Sequence, residues 1–186
     1  MAWWEGTKAI IKRVLVGIDG SEPADKAMDL ACEMASRFGA ELIALHVISD
    51  KPLSEAERKM AEVEFPAEIA QGFDAARLMD AQGNVRLMSQ RLAEQATATA
   101  GRFRRALGER LIEDVARRAK ESSVANVRTI LEEGDPATAI LRVAHNEAAD
   151  IIVMGRRGLG DLAGLLLGSV SHKVTHLAEC ACLTVK

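Results

Sequence analysis

Residues 154–171, MGRRGLGDLAGLLLGSVS, carry the most chemistry of any segment in the chain. Two residues separate Gly155 from Gly158, and nine more lead to Gly168 and Ser169. Glycines spaced this way let the backbone approach a ligand closely, line up N–H groups as an anion nest and aim a helix N-terminus at it. Ser169, as N-cap or first-turn residue, adds a hydroxyl donor. The chemistry is phosphate binding. A glycine-rich surface turn would account equally well for any single pair of these glycines, so their placement decides. Arg156 and Arg157 either reach phosphate oxygens or face water, and they are left outside the candidate site.

Asp19 is the second candidate. It follows the run RVLVGI at 13–18 and opens the turn Asp19-Gly20-Ser21. If the first and fourth strands are neighbours whose connections leave in opposite directions, their carboxyl ends frame the crevice where open α/β sheets bind ligands. Asp19 then faces Gly155 across that crevice. A carboxylate for ribose hydroxyls and an anion nest for phosphates together suit a nucleotide. Capping the local turn is compatible with this role.

The elements that must position these groups follow an alternating grammar. RVLVGI reads as a buried parallel strand. A helix enters at Ser21 or Glu22 with Pro23, buries Ala27, Leu30, Ala31, Met34, Ala35 and Phe38, and stops at Gly39. LIALHV at 42–47 is the second strand and completes a βαβ unit. VRTILEE at 127–133 is the third, and Asp135 with Pro136 opens a helix whose buried side carries Ile140, Val143 and Ala144. IIVM at 151–154 is a strongly apolar fourth strand. A last helix carries Val170, Val174 and Leu177 on one face, and Leu183-Thr184-Val185 closes the chain as the fifth strand.

Roughly 80 residues separate strands two and three, where a compact unit needs a dozen or more. The pattern within them is helical. Val85, Met88, Leu92, Ala96, Thr99, Phe103, Leu107, Leu111, Val115 and Ala119 form a stripe at helical spacing. One or two shorter helices precede it at 54–80, interrupted by Pro66 and Gly72. Gly101 and Gly108 argue against one uninterrupted helix, since each costs about 1 kcal/mol relative to Ala. The division expected is a single domain over 1–186, with a core at 9–50 and 122–186 and a helical insertion at 51–121.

With 24 Lys plus Arg against 27 Asp plus Glu among 186 residues, the net charge of −3 lacks the basic excess of a dedicated nucleic-acid binder. The opening MAWWEGTKAIIKR has no apolar signal region, and no run reaches the roughly 18 apolar residues of a membrane span. No membrane association and a cytoplasmic address are expected. Three cysteines without a C-x-x-C pair argue against a disulfide scaffold.

At these residues the chain resembles the universal stress protein family. The matching pieces are VLVGIDGSEPADKAMDLA at 14–31, ALHV at 44–47, EGDPATAILRVAHNEAADIIVMGRRGLG at 133–160 and LLLGSVSHKVTHLAEC at 165–180. The glycine pattern is the mark of that family's ATP-binding branch. The resemblance implies an open five-stranded parallel sheet in the order 3-2-1-4-5, with helices on both faces, like that of the adenine-nucleotide α-hydrolases. It also implies ATP, whose phosphates can bring Mg²⁺, a homodimer, and a role in the stress response. By the same resemblance the adenosine pocket falls on Gly17, Asp19 and Val47, whose backbone would read adenine. The phosphate loop falls on Met154, Gly155, Gly158, Gly168, Ser169, Val170 and Ser171.

Other constellations compete. His172, His176 and Cys180 stand at i, i+4 and i+8, a spacing that fits metal ligands, yet the histidines fall on the solvated side of the helix. Six arginines between 102 and 118 make the long helix locally basic, which reads either as a partner surface or, with Glu109, Glu113, Asp114 and Glu121 interleaved, as a solvated face. Its apolar stripe is assigned to helix-to-helix packing, including across a dimer. An enzyme that adenylates its substrate would need Ser-Gly-Gly-x-Asp-Ser after strand one, where this chain has Asp19-Gly20-Ser21-Glu22. No Walker-type Gly-Lys-Ser/Thr occurs either. The expectation is a nucleotide-binding sensor or adaptor that turns ATP over slowly or not at all, with an α-hydrolase-type enzyme or a member signalling without ATP as the alternatives.

Overall fold

Three short apolar runs lie side by side at the centre of one sheet because each can bury both faces only under helices, and two more exposed runs flank them. The computed structural model describes residues 11–49, 51, 53–64, 85–159 and 168–186. In chain order the elements are β1 (Arg13–Gly17), α1 (Glu22–Phe38), β2 (Glu41–Ile48), α2 (Glu55–Glu64), α3 (Val85–Glu121), β3 (Asn126–Glu133), α4 (Pro136–Asn146), β4 (Ile151–Gly155), α5 (Ser169–Leu177) and β5 (Ala181–Val185). The strands form one parallel sheet in the order β3-β2-β1-β4-β5. That is the order expected.

Alternation along each strand divides the core in two. On one face Val14, Val16, Leu42, Ala44 and Val153 pack with Ala27, Ala31 and Ala35 of α1 and with Val115 and Ala119 of α3. On the other, Leu15, Ile43, Leu45, Ile152 and Met154 pack with Ile140 and Val143 of α4 and Val174 of α5. Helix entries follow the sequence closely. Ser21 caps α1 by accepting from Ala24 N–H (3.3 Å), and Asp135 caps α4 by accepting from Thr138 N–H (3.0 Å), with a proline at the start of each helix. Gly39 ends α1 in the left-handed region at φ 61°.

Several expectations change. Phe38 and Leu177, assigned to buried faces, are 48% and 53% exposed, because each is the final residue of its helix, where the chain turns away. Residues 85–121 form one helix through both Gly101 and Gly108. The C-terminal half of its stripe packs on the chain's own sheet and α1, so α3 is the crossover helix between β2 and β3 as well as a neighbour of α2. Of the shorter helices expected at 54–80, α2 accounts for 55–64, and residues 65–84 lie outside the described residues. No helix among the described residues is long and apolar enough to cross a membrane.

Candidate functional site

The carboxyl ends of β1 and β4 part where α1 leaves towards one face and α5 towards the other. A cavity of about 300 Å³ opens there. Nine of the ten expected residues line it: Gly17, Asp19, Val47, Met154, Gly155, Gly158, Ser169, Val170 and Ser171. The tenth, Gly168, is the buried N-cap of α5.

Backbone alternation explains the part played by β2. Leu45 C=O accepts from Ile18 N–H (2.9 Å) on the β1 side, and Ile48 C=O accepts from Gly134 N–H (2.9 Å) on the β3 side. Val47, in step with Leu45, therefore turns its N–H and C=O towards β1, whose pairing with β2 stops at Gly17–Leu45. One donor and one acceptor face the space beyond that end.

Asp19 stands next along the crevice. Its Oδ1 accepts from Ser21 N–H (3.0 Å) and Ser21 Oγ (2.6 Å), and Oδ2 accepts from Leu159 N–H (3.2 Å) in the glycine loop. The carboxylate thus caps its own turn and ties β1 to the loop after β4. Gly155 and Gly158 sit where an added Cβ would meet neighbouring atoms. A Cβ on Gly158 would run into Asp19 Oδ2, and one on Gly155 would stand 2.9 Å from Ala24 N and 3.0 Å from Pro23 C at the start of α1.

The loop's far end is fixed as firmly. Arg156 N–H donates to Val185 C=O (2.6 Å), and Arg156 C=O accepts from Gly168 N–H (2.9 Å) and Ser171 Oγ (2.7 Å). The first bond within α5 runs from His172 N–H to Gly168 C=O (2.9 Å), so the amides of Val170 and Ser171 lie at the helix's open end, beside the cavity. That end carries the positive pole of the helix dipole. The Gly168 amide is committed to Arg156, so this glycine shapes the loop and the helix start.

A model of the universal stress protein family matches residues 11–186. The chain belongs to the universal stress protein family. It is 28% identical over 177 residues to universal stress protein YxiE of Bacillus subtilis (strain 168), covering 95% of this chain and 100% of that one. Against universal stress protein MJ0531 of Methanocaldococcus jannaschii the identity is 30% over 177 residues, with coverage of 95% and 83%. Among solved structures, hypothetical protein MJ0577 is similar with a TM-score of 0.56 at 26% identity over 95% of this chain and 96% of that one. A universal stress protein in complex with cAMP gives 0.57 at 22% identity over 94% and 96%.

This universal stress protein adds residues to the cavity that the spacing of glycines did not reveal. Ser49, Lys51, Ser54, Glu57 and Arg104 line one wall, all from the connection between β2 and β3. Ser54 and Glu57 form a capping box: Glu57 N–H donates to Ser54 Oγ (3.2 Å), and Ser54 N–H donates to Glu57 Oε2 (2.8 Å). Ser54 Oγ in turn donates to Leu159 C=O (2.8 Å), which joins the start of α2 to the glycine loop. Arg104 is buried on α3. Its Nε donates to Glu57 Oε1 (2.8 Å), and its Nη1 donates to the carbonyls of Ser49 (2.7 Å) and Lys51 (2.6 Å). Burial works to raise the Glu57 pKa, but the Arg104 guanidinium and the Ser54 donors outweigh it and hold the carboxyl below its ordinary range. The S-x-x-E pattern at 54–57 was a readable signal for the box; the reach of Arg104 across 47 residues to Glu57 was not.

Arg156 and Arg157, left outside the site on sequence grounds, also border the cavity. His172 and His176 are exposed and stacked on each other, with ring centroids 6.4 Å apart.

Proposed function

We propose that this universal stress protein binds an adenine nucleotide, ATP foremost, across the ends of β2, β1 and β4, and that occupancy sets its shape or its partners during stress. The observation that carries the reading is the order of groups along the crevice. A backbone donor–acceptor pair at Val47 suits the adenine edge, the Asp19 carboxylate suits ribose hydroxyls, and the glycine loop with the open end of α5 suits phosphates.

The residues present fit such a ligand. Gly155 and Gly158 form a cradle that a Cβ would fill, and the backbone of Arg156 between them is held by Val185, Gly168 and Ser171. Preorganised amides lose little freedom on binding. Gly17, Ile140 and Met154 provide an apolar floor. A universal stress protein of the same fold, solved with cAMP, gives the reading a precedent. Mg²⁺ would arrive on the phosphates.

The protein's own role is to bind and orient. Asp19-Gly20-Ser21-Glu22 stands where an adenylating enzyme would carry its pyrophosphate loop, so a sensor or adaptor with slow turnover at most is the better reading. We further propose one domain over 1–186, the β2–β3 connection at 51–121 being an addition to a core at 9–50 and 122–186, and a homodimer in the cytoplasm. The nucleotide reading is tested by denaturing the purified protein, chromatographing what is released, and titrating the apo form with ATP by calorimetry. Released adenine nucleotide or saturable heat is expected. Neither, up to millimolar ATP, overturns the reading.

A further inference from the structure

The cavity's charges do not cancel at its phosphate end. Among the described residues two carboxylates border it, and both are engaged: Asp19 by Ser21 and Leu159, Glu57 by Arg104 and Ser54. Arg104 is matched by Glu57 and two carbonyls. Arg156 and Arg157 differ. Among the described residues no carboxylate pairs with either guanidinium, and the Nε atom of each is buried without a hydrogen-bond partner. Both residues border the cavity, and with no carboxylate beside them among the described residues their positive charge is left for an anion entering the cavity to match.

Their backbone placement limits where that anion lies. Arg156 is held at both its N–H and its C=O, to the end of β5 and the start of α5. Arg157 C=O lies 3.4 Å from Ser21 Oγ at the start of α1. Both side chains therefore spring from a loop fixed between two helix starts, next to the glycine cradle. The α5 amides and the cradle suffice for one phosphate. Two further guanidinium groups match additional phosphate charge, and the planar fork of arginine suits phosphate oxygens two at a time.

We infer that Arg156 and Arg157 grip the outer phosphates of the nucleotide and make the pocket selective for a nucleoside triphosphate over the monophosphate. The inference rests on the adenine-nucleotide reading above and assigns these two residues its specificity. The test is calorimetric titration of the full chain and of R156Q, R157Q and the double variant with ATP and with AMP. Wild type is expected to bind ATP at least on the order of 10-fold more tightly than AMP, since hydrogen bonds to charged groups of this kind carry factors of about 10 to 100. The double variant should lose that preference while its AMP affinity stays within about twofold, and R156K/R157K should keep part of it.

Equal affinity of wild type for ATP and AMP, or a preference that survives in the double variant, overturns the inference and leaves the nucleotide reading standing. Loss of AMP binding together with ATP binding in the double variant also overturns it, because the arginines would then be shaping the loop. Failure of wild type to bind either nucleotide removes both readings together.

Discussion

The Asp19 carboxylate fills the space beside Gly158 that a side chain there would take, since a Cβ would collide with Oδ2, the oxygen that accepts the Leu159 N–H. The obstacle is the end of a movable side chain. G158A is therefore expected to displace Asp19 and break that bond, costing about 1 kcal/mol of stability, while nucleotide affinity falls by more than tenfold. At Gly155 the obstacles are backbone atoms of Pro23, Ala24 and Arg157, which cannot swing aside. G155A should cost about 1–3 kcal/mol, as overpacking does. Urea denaturation with ATP calorimetry on both variants separates the two effects, and equal stability losses would contradict the assignment.

Arg104 and Glu57 make a nearly buried pair, with side chains 6% and 13% exposed. R104M removes the cation from Glu57 and the donors from the Ser49 and Lys51 carbonyls, so a loss of about 3–5 kcal/mol is expected. The double variant R104M/E57M should recover a substantial part, because no buried charge is then left alone. Chemical denaturation of the four proteins of the cycle measures the coupling. A single-variant loss below about 1 kcal/mol would show that the pair is as weak as a surface one.

The acid side of the stability curve should begin with His46. This side chain is buried on β2, with Nδ1 2.9 Å from Ile18 C=O, and burial pushes its pKa below the ordinary histidine value of 6.5. The unfolded chain therefore binds a proton that the folded chain resists. The stability linked to His46 is fully present above pH 6.5 and is lost as pH falls from there through the lowered folded value. Glu57, also lowered, adds its loss only below pH 4.5. Unfolding free energies measured between pH 7 and 5 should decline in wild type and be flatter in H46Q. Parallel slopes would assign the decline to other groups.

How much the sequence revealed depended on how local each cause is. The apolar β-branched runs of the strands, the Ser21 and Asp135 caps and the Gly39 stop are set by neighbours a few residues away, and the structure has them in place. The glycine pattern reached further, because the phosphate loop and the helix that follows it form one continuous stretch. What the sequence withheld are meetings across distance. Arg104 reaches Glu57, Ser54 meets Leu159, and Lys51 and Lys173 converge on Asp135, whose carboxyl they help Thr138 to hold well below its usual range. Nothing in spacing or residue type links such partners. The two arginines of the glycine loop were visible, yet only the fold shows that both border the cavity.

The two glycines of α3 look alike in sequence, and the structure predicts opposite results for them. A Cβ on Gly101 meets nothing within 4 Å, so G101A should gain the helix propensity of alanine at no steric cost, about 0.5–1 kcal/mol. A Cβ on Gly108 would stand 2.7 Å from His46 Cδ2 on β2 and 3.1 Å from Leu131 Cδ1 on β3. The same propensity gain is available there, but His46 is pinned by Ile18 and buried, so the ring must move or the helix must lift from the sheet. Overpacking of this kind costs about 1–3 kcal/mol, and the net effect of G108A is destabilising. Thermal melts of the two variants should bracket wild type. If G108A melts at or above wild type, the close approach of α3 to His46 is wrong, and with it the account of why one long helix can serve as the crossover.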